Sequence, residues 1–212
     1  MAIQKNSHII QLPQTPTPPP NKSINPWEIT KSFLGKLESI LASNDAARLQ
    51  EVFHQESWWR DMLALTWDFR TVHTLPRIQY FVGGNQSHAR LSSFRAQDKG
   101  KFMPTLETPS GSHQLSWISS MFFFETCAGH GSGVLRLTQD DAGAWKAYTL
   151  YTSLQDIKGV REPLGTNRVS GILHSMPGGE RGGNWLERRK RQIEFLDEEP
   201  TVLAIGAGKC TF

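Results

Sequence analysis

The chain has 212 residues, 38% of them apolar and 10% aromatic, which allows one domain of ordinary size with a sizeable core plus tails. A net charge of +3 excludes a general polyanion or nucleic-acid binder, and no apolar run reaches the ~18 residues of a membrane span. Two distant cysteines, Cys127 and Cys210, make no metal-ligand spacing, and the N-terminus has no secretory apolar core, so a reducing, cytoplasmic setting is the simplest reading.

Residues 1–24 are polar and proline-rich (Pro13, Pro16, Pro18, Pro19, Pro20) and read as a disordered or extended tail. Asn25-Pro-Trp-Glu28 then opens a helix, with Asn25 as cap, Pro26 in its first position and Glu28 at its third. Ile29, Phe33, Leu34, Leu37, Ile40 and Leu41 supply its apolar stripe. Ser43-Asn44-Asp45 breaks the chain, and two short helices are expected next. One runs through Leu49 to Phe53; the other starts near Ser57 and carries Trp58, Trp59, Met62 and Leu63.

From Trp67 to Val72 apolar and polar residues alternate, the period of a half-buried strand. Leu75 to Val82 reads as another helix, stopped at Gly83-Gly84-Asn85. Strands are expected at 88–96, 101–107, 113–125, 133–139 and 144–153, with Leu115, Trp117, Ser119 and Met121 on one face of the third. Asp140-Asp-Ala-Gly143 is the turn joining the last two, and Gly129-His-Gly-Ser-Gly133 reads as a hairpin loop. Helices followed by a run of antiparallel strands predict an α+β fold with helices on one side of a curved sheet. Residues 158–199 form a linker, glycine-rich at first and then carrying a basic helix from Trp185 to Phe195. That helix reads as a solvated face rather than a nucleic-acid patch.

The chemical side chains are densest between Trp58 and His73. Asp61, Asp68 and His73 are the candidate proton-transfer groups, with Trp58, Trp67 and Arg70 lining a substrate pocket. The plainer alternative is that Trp58, Trp59, Trp67 and Phe69 are core and that Arg60–Asp61 and Asp68–Arg70 are structural pairs. The seven histidines make no HExxH or similar spacing, so no metal site is expected, and no Gly-x-Ser-x-Gly nucleophile elbow occurs.

The last segment, Thr201 to Phe212, is an apolar strand running into Gly206-Ala-Gly208, the opening of a dinucleotide fingerprint. That strand from Pro200 to Gly208, the connector Gly183-Asn-Trp-Leu-Glu-Arg-Arg189 and the stretch from His54 to Thr71 together resemble the N-terminal region of fungal and bacterial flavin-containing monooxygenases. In that group a nuclear-transport-factor-like (SnoaL-like) domain precedes the FAD-binding domain. The resemblance implies a cone-shaped α+β domain over 25–157, a linker over 158–199, and the start of an FAD/NAD(P)-binding domain over 200–212. It implies a parent enzyme that uses FAD and NADPH to oxygenate a small organic substrate. Here the third fingerprint position is Thr211 rather than glycine and the sequence stops at Phe212, so Gly206 and Gly208 read as vestiges in a truncated product that holds no cofactor and has no oxygenase activity by itself. Two other readings stand beside it: a stand-alone SnoaL-like isomerase, cyclase or dehydratase of secondary metabolism, and a non-catalytic module that binds or forms a homodimer through its sheet face.

Overall fold

The computed structural model describes residues 24–108, 116–162, 164 and 185–196. The proline-rich stretch of 1–23, Leu115, the glycine-rich part of the linker and the strand carrying Gly206 and Gly208 lie outside the described residues. The described residues up to Val160 belong to one compact unit, and 185–196 belong to another.

Helix α1 (Pro26–Ser43) starts where its sequence says it should. The Asn25 side chain accepts hydrogen bonds from the backbone N–H of Trp27 (3.1 Å) and Glu28 (3.4 Å), and Pro26 needs no partner for a donor it lacks. Its stripe buries Phe33, Leu34, Leu37, Ile40 and Leu41, each worth about 1.5–3 kcal/mol of transfer free energy. Asn44, in the left-handed region at φ 54°, ends it. A 3-10 turn (Ala46–Glu51) replaces the expected second helix.

The expected third helix is a strand. β1 (Phe53–Met62) alternates strictly at its C-terminal half, with Ser57, Trp59 and Asp61 buried and Trp58, Arg60 and Met62 turned the other way. β2 (Phe69–His73) pairs antiparallel with β1, and the residues from Leu63 to Asp68 form a loop between them. Helix α2 (Leu75–Ala89) runs through Gly83 and Gly84 instead of stopping there. What holds it is tertiary: Val82 and Ala89 are buried, and the buried Gln86 side chain clamps Leu91 by accepting from its N–H (3.2 Å) and donating to its C=O (3.1 Å).

β3 (Ser92–Ala96), β4 (Thr105–Glu107), β5 (Trp117–Glu125), β6 (Gly129–Gln139) and β7 (Trp145–Ile157) complete a curved, open sheet of order β2-β1-β7-β6-β5-β3, with β4 also on β5. The α+β architecture of helices against a curved sheet is present as expected, but the sheet is mixed. β1 runs parallel to β7, registering Trp59 with Leu150 and Asp61 with Thr152. The β6–β7 turn is the predicted one: Asp140 Oδ1 accepts from the N–H of Ala142 and Ala144, and Gly143 takes φ 80°.

Gly129 to Gly133 is not a loop but the start of β6. The glycines are there because the Phe124 and Phe122 rings lie across Gly131 and Gly133, where any Cβ would collide with them. Those rings belong to a core that also contains Trp59, Phe53, Leu135, Leu137 and Ile118, all on the helix side of the sheet. In the second unit, helix α3 (Trp185–Ile193) occupies most of the predicted basic helix, with Leu186 and Ile193 exposed.

Candidate functional site

The candidate residues between Trp58 and His73 sit on β1, β2 and the loop joining them, not on a helix followed by a strand. Asp61 is fully buried. Its Oδ1 accepts a hydrogen bond from the Thr152 hydroxyl across the parallel β1–β7 pair (2.6 Å), and Thr152 in turn accepts from the Trp59 indole N–H (2.9 Å). Its Oδ2 accepts from the backbone N–H of Leu65 (3.0 Å) and Thr66 (3.4 Å). Burial pushes the Asp61 carboxyl above its usual range, while the bonds from Thr152, Leu65 and Thr66 act in the opposite sense. The carboxylate therefore organises the 63–68 loop, whose Ala64 and Leu65 close over the core.

Asp68 ends that loop at the surface. It accepts from the Phe69 N–H (2.7 Å) and pairs with Arg70 (2.9 Å), both side chains more than half exposed. Arg70 stands opposite Asp61 in the β1–β2 register, yet its guanidinium goes to Asp68. Trp67 is 69% exposed and borders no described cavity.

His73 lies on the other face of the sheet from Asp61. Its ring stacks on Trp58, with centroids 3.9 Å apart and planes within 11°, and its Nε2 meets Glu56 Oε2 at 3.1 Å. Glu56 is a residue that sequence reading passed over, because the segment containing it was assigned to the approach of a helix. Burial, and the charge of Glu56, push the Tyr148 hydroxyl above its usual range. The three proton-transfer candidates thus separate: one buried on the helix side, one on a surface loop, one on the open face.

On the helix side of the sheet Trp59, Phe53, Phe122 and Phe124 are each at most 1% exposed and belong to the core. On the opposite face, no described element of the first unit packs. Successive rows across it read Ser119, Arg136, Thr149, Trp58, His73; then Met121, Val134, Tyr151, Arg60, Thr71; then Phe123, Ser132, Ser153, Met62, Phe69. Met121, Val134, Tyr151, Met62 and Trp58 on it are only half-buried. A cleft of about 420 Å³ opens elsewhere, between α1 and β3, and none of Asp61, Asp68 and His73 lines it.

Among the described residues no group of three or more His, Cys, Asp or Glu side chains is placed to hold a metal ion, and no helix is long and apolar enough to cross a membrane. His54 is bound within the fold, its Nε2 2.9 Å from the Thr138 hydroxyl, and burial lowers its pKa.

No family model matches the chain, and no curated protein does. Solved structures are similar to it. They include a domain of unknown function with a cystatin-like fold from Nostoc punctiforme (11% identity, 64% of this chain and 82% of that one, TM-score 0.45). An NTF2-like protein with a cystatin-like fold from Novosphingobium aromaticivorans is 15% identical over 61% of this chain and 81% of that one, with a TM-score of 0.39. ActVI-ORFA from Streptomyces coelicolor is 11% identical over 61% of this chain and 96% of that one, with a TM-score of 0.41. Identities and scores this low carry no chemistry from those proteins to this one.

Proposed function

We propose that residues 25–157 form a SnoaL-like module that assembles or binds and performs no chemistry inside its cone. The observation that carries this reading is the placement of Asp61. The one carboxylate on the core side of β1 is fully buried and committed to Thr152, Leu65 and Thr66, which leaves it no free hydrogen-bonding face for a substrate. The face left open is that of the sheet, where Met121, Val134 and Tyr151 form an apolar row across three strands. A second copy of the chain is the occupant this reading assigns to it. Light scattering on the purified chain then gives a mass near twice 23.9 kDa, and Val134→Arg, which places a charge in the middle of the row, gives a monomer. A monomeric wild-type chain overturns the reading.

The competing reading makes the module an isomerase, cyclase or dehydratase acting through Asp61, Asp68 and His73 on a small molecule. It needs at least two of those side chains to face one substrate, and the first and last point to opposite faces of the sheet. Turnover of a small carbonyl substrate that is lost equally in Asp61→Asn and His73→Gln would revive it.

We further infer, from the resemblance of the segments 54–71, 183–189 and 200–208, that the module serves an FAD- and NADPH-dependent monooxygenase. Gly206 and Gly208 would bring backbone N–H groups to a pyrophosphate only together with the helix that continues such a strand. NADPH consumption by such a flavin-dependent oxygenase that is unchanged when residues 25–157 are removed would overturn the inference.

A further inference from the structure

The cleft between α1 and β3 is built from residues outside the Trp58–His73 region, and of them Phe123 stands in the outer row of the open sheet face. Leu34 of α1 and Phe94 of β3 give it an apolar lining, and Trp27 adds an aromatic one from the first turn of α1. Phe94 stacks with Phe122 and Phe124 on the helix side, whereas Phe123 belongs to the open face, so the cleft laps around the edge strand β3. β3 is bulged here. Its register against β5 shifts between Ser92 and Arg95, Ser93 sits at φ 57°, and the Ser93 N–H donates to Glu38 of α1 at 2.7 Å. Beyond the bulge Arg95 registers with Phe123, and its guanidinium carbon lies 5.7 Å from the centre of that ring.

The charges at the cleft are two cations, Lys31 and Arg95, against one carboxylate, Asp98. Neither cation makes an ion pair with a described residue. A guanidinium laid over an aromatic ring keeps its planar N–H fork available, the geometry that takes a carboxylate through two parallel hydrogen bonds. Aromatic linings on the other sides suit a flat ring system, and about 420 Å³ lies within the ~300–1,000 Å³ of small-molecule sites. We propose that this cleft binds a planar aromatic carboxylate of one or two rings, with Arg95 taking the carboxylate, Lys31 adding positive charge, and Trp27 and Phe94 covering the ring. This assigns a ligand class and no reaction.

Titration calorimetry of the full chain with 2-naphthoate and with neutral 2-naphthamide tests it. 2-Naphthoate saturates the chain one-to-one, and 2-naphthamide binds at least about tenfold more weakly, the loss of one charge-assisted bidentate contact. Arg95→Gln, an exposed position outside the core, abolishes the preference between the two. Trp27→Ala weakens both ligands to a similar degree, with circular dichroism verifying that each variant is folded. Equal binding of the two ligands, unchanged 2-naphthoate affinity in Arg95→Gln, or no saturable 2-naphthoate binding would overturn the proposal.

Discussion

Single side chains in this protein are used more for holding than for reacting. Asp61 joins three segments at once: β7 through Thr152, the 63–68 loop through Leu65 and Thr66, and the core through the Trp59–Thr152 link. Asp61→Ala strips the buried Leu65 N–H and Thr152 hydroxyl of their partner, and a urea titration should show a loss on the order of 3 kcal/mol. An unchanged midpoint would mean that the network contributes nothing. His54 gives a pH prediction. Burial is the largest influence on it and lowers its folded pKa below 6.5, so the unfolded chain binds a proton more readily than the folded one as pH falls through that value. Stability contributed by the neutral ring is therefore full above about pH 7 and lost progressively below 6.5. Urea midpoints measured from pH 8 to 5 should fall for the wild type and fall less for His54→Gln.

At the scale of elements, glycines divide into two kinds. Gly84 of α2 has open space around the position of a Cβ and an ordinary helical backbone, so Gly84→Ala should stabilise by ~0.5–1 kcal/mol in thermal melts. Gly133 of β6 lies under the Phe122 ring and against the Tyr151 carbonyl, so Gly133→Ala should cost about 1–3 kcal/mol. The same division explains which elements are legible in the sequence. α1 is legible because its cap, its Pro26 and its apolar stripe agree, and the β6–β7 turn is legible from Asp140 and Gly143. β1 is not. Adjacent Trp58 and Trp59 put an aromatic on each face, and Asp61 occupies a core position, so the alternation is invisible to a count of apolar residues. The glycines of β6 mimic a loop because the residues that require them, Phe122 and Phe124, lie on another strand. For the candidate site, the sequence groups Asp61, Asp68 and His73 along the chain. Which face each one takes depends on the parallel pairing with β7, which no local pattern announces.

For the whole molecule, the boundary at Val160 closes a unit that has its own core. A chain of residues 24–160 should therefore unfold in one cooperative transition in urea, as small single domains do. A broad or stepwise transition would show that this unit does not fold by itself. The open sheet face and the α1–β3 cleft both belong to that first unit, so the light-scattering and calorimetric tests can be repeated on it once it is shown to fold. If the face is covered by a second copy, the apolar row from Met121 to Tyr151 is where the assembly gains its hydrophobic contribution.

The parallel pairing of β1 with β7 also sets the order of events when the chain is made. Asp61 and Thr152 are 91 residues apart, so at ~5–20 residues per second β1 emerges from the ribosome roughly 5–20 s before the strand that satisfies it. During that interval β1 has β2 as its one sheet neighbour. Closing so long a loop last makes this a slow folder among domains of its size, and one exposed to aggregation until Ile157 is released.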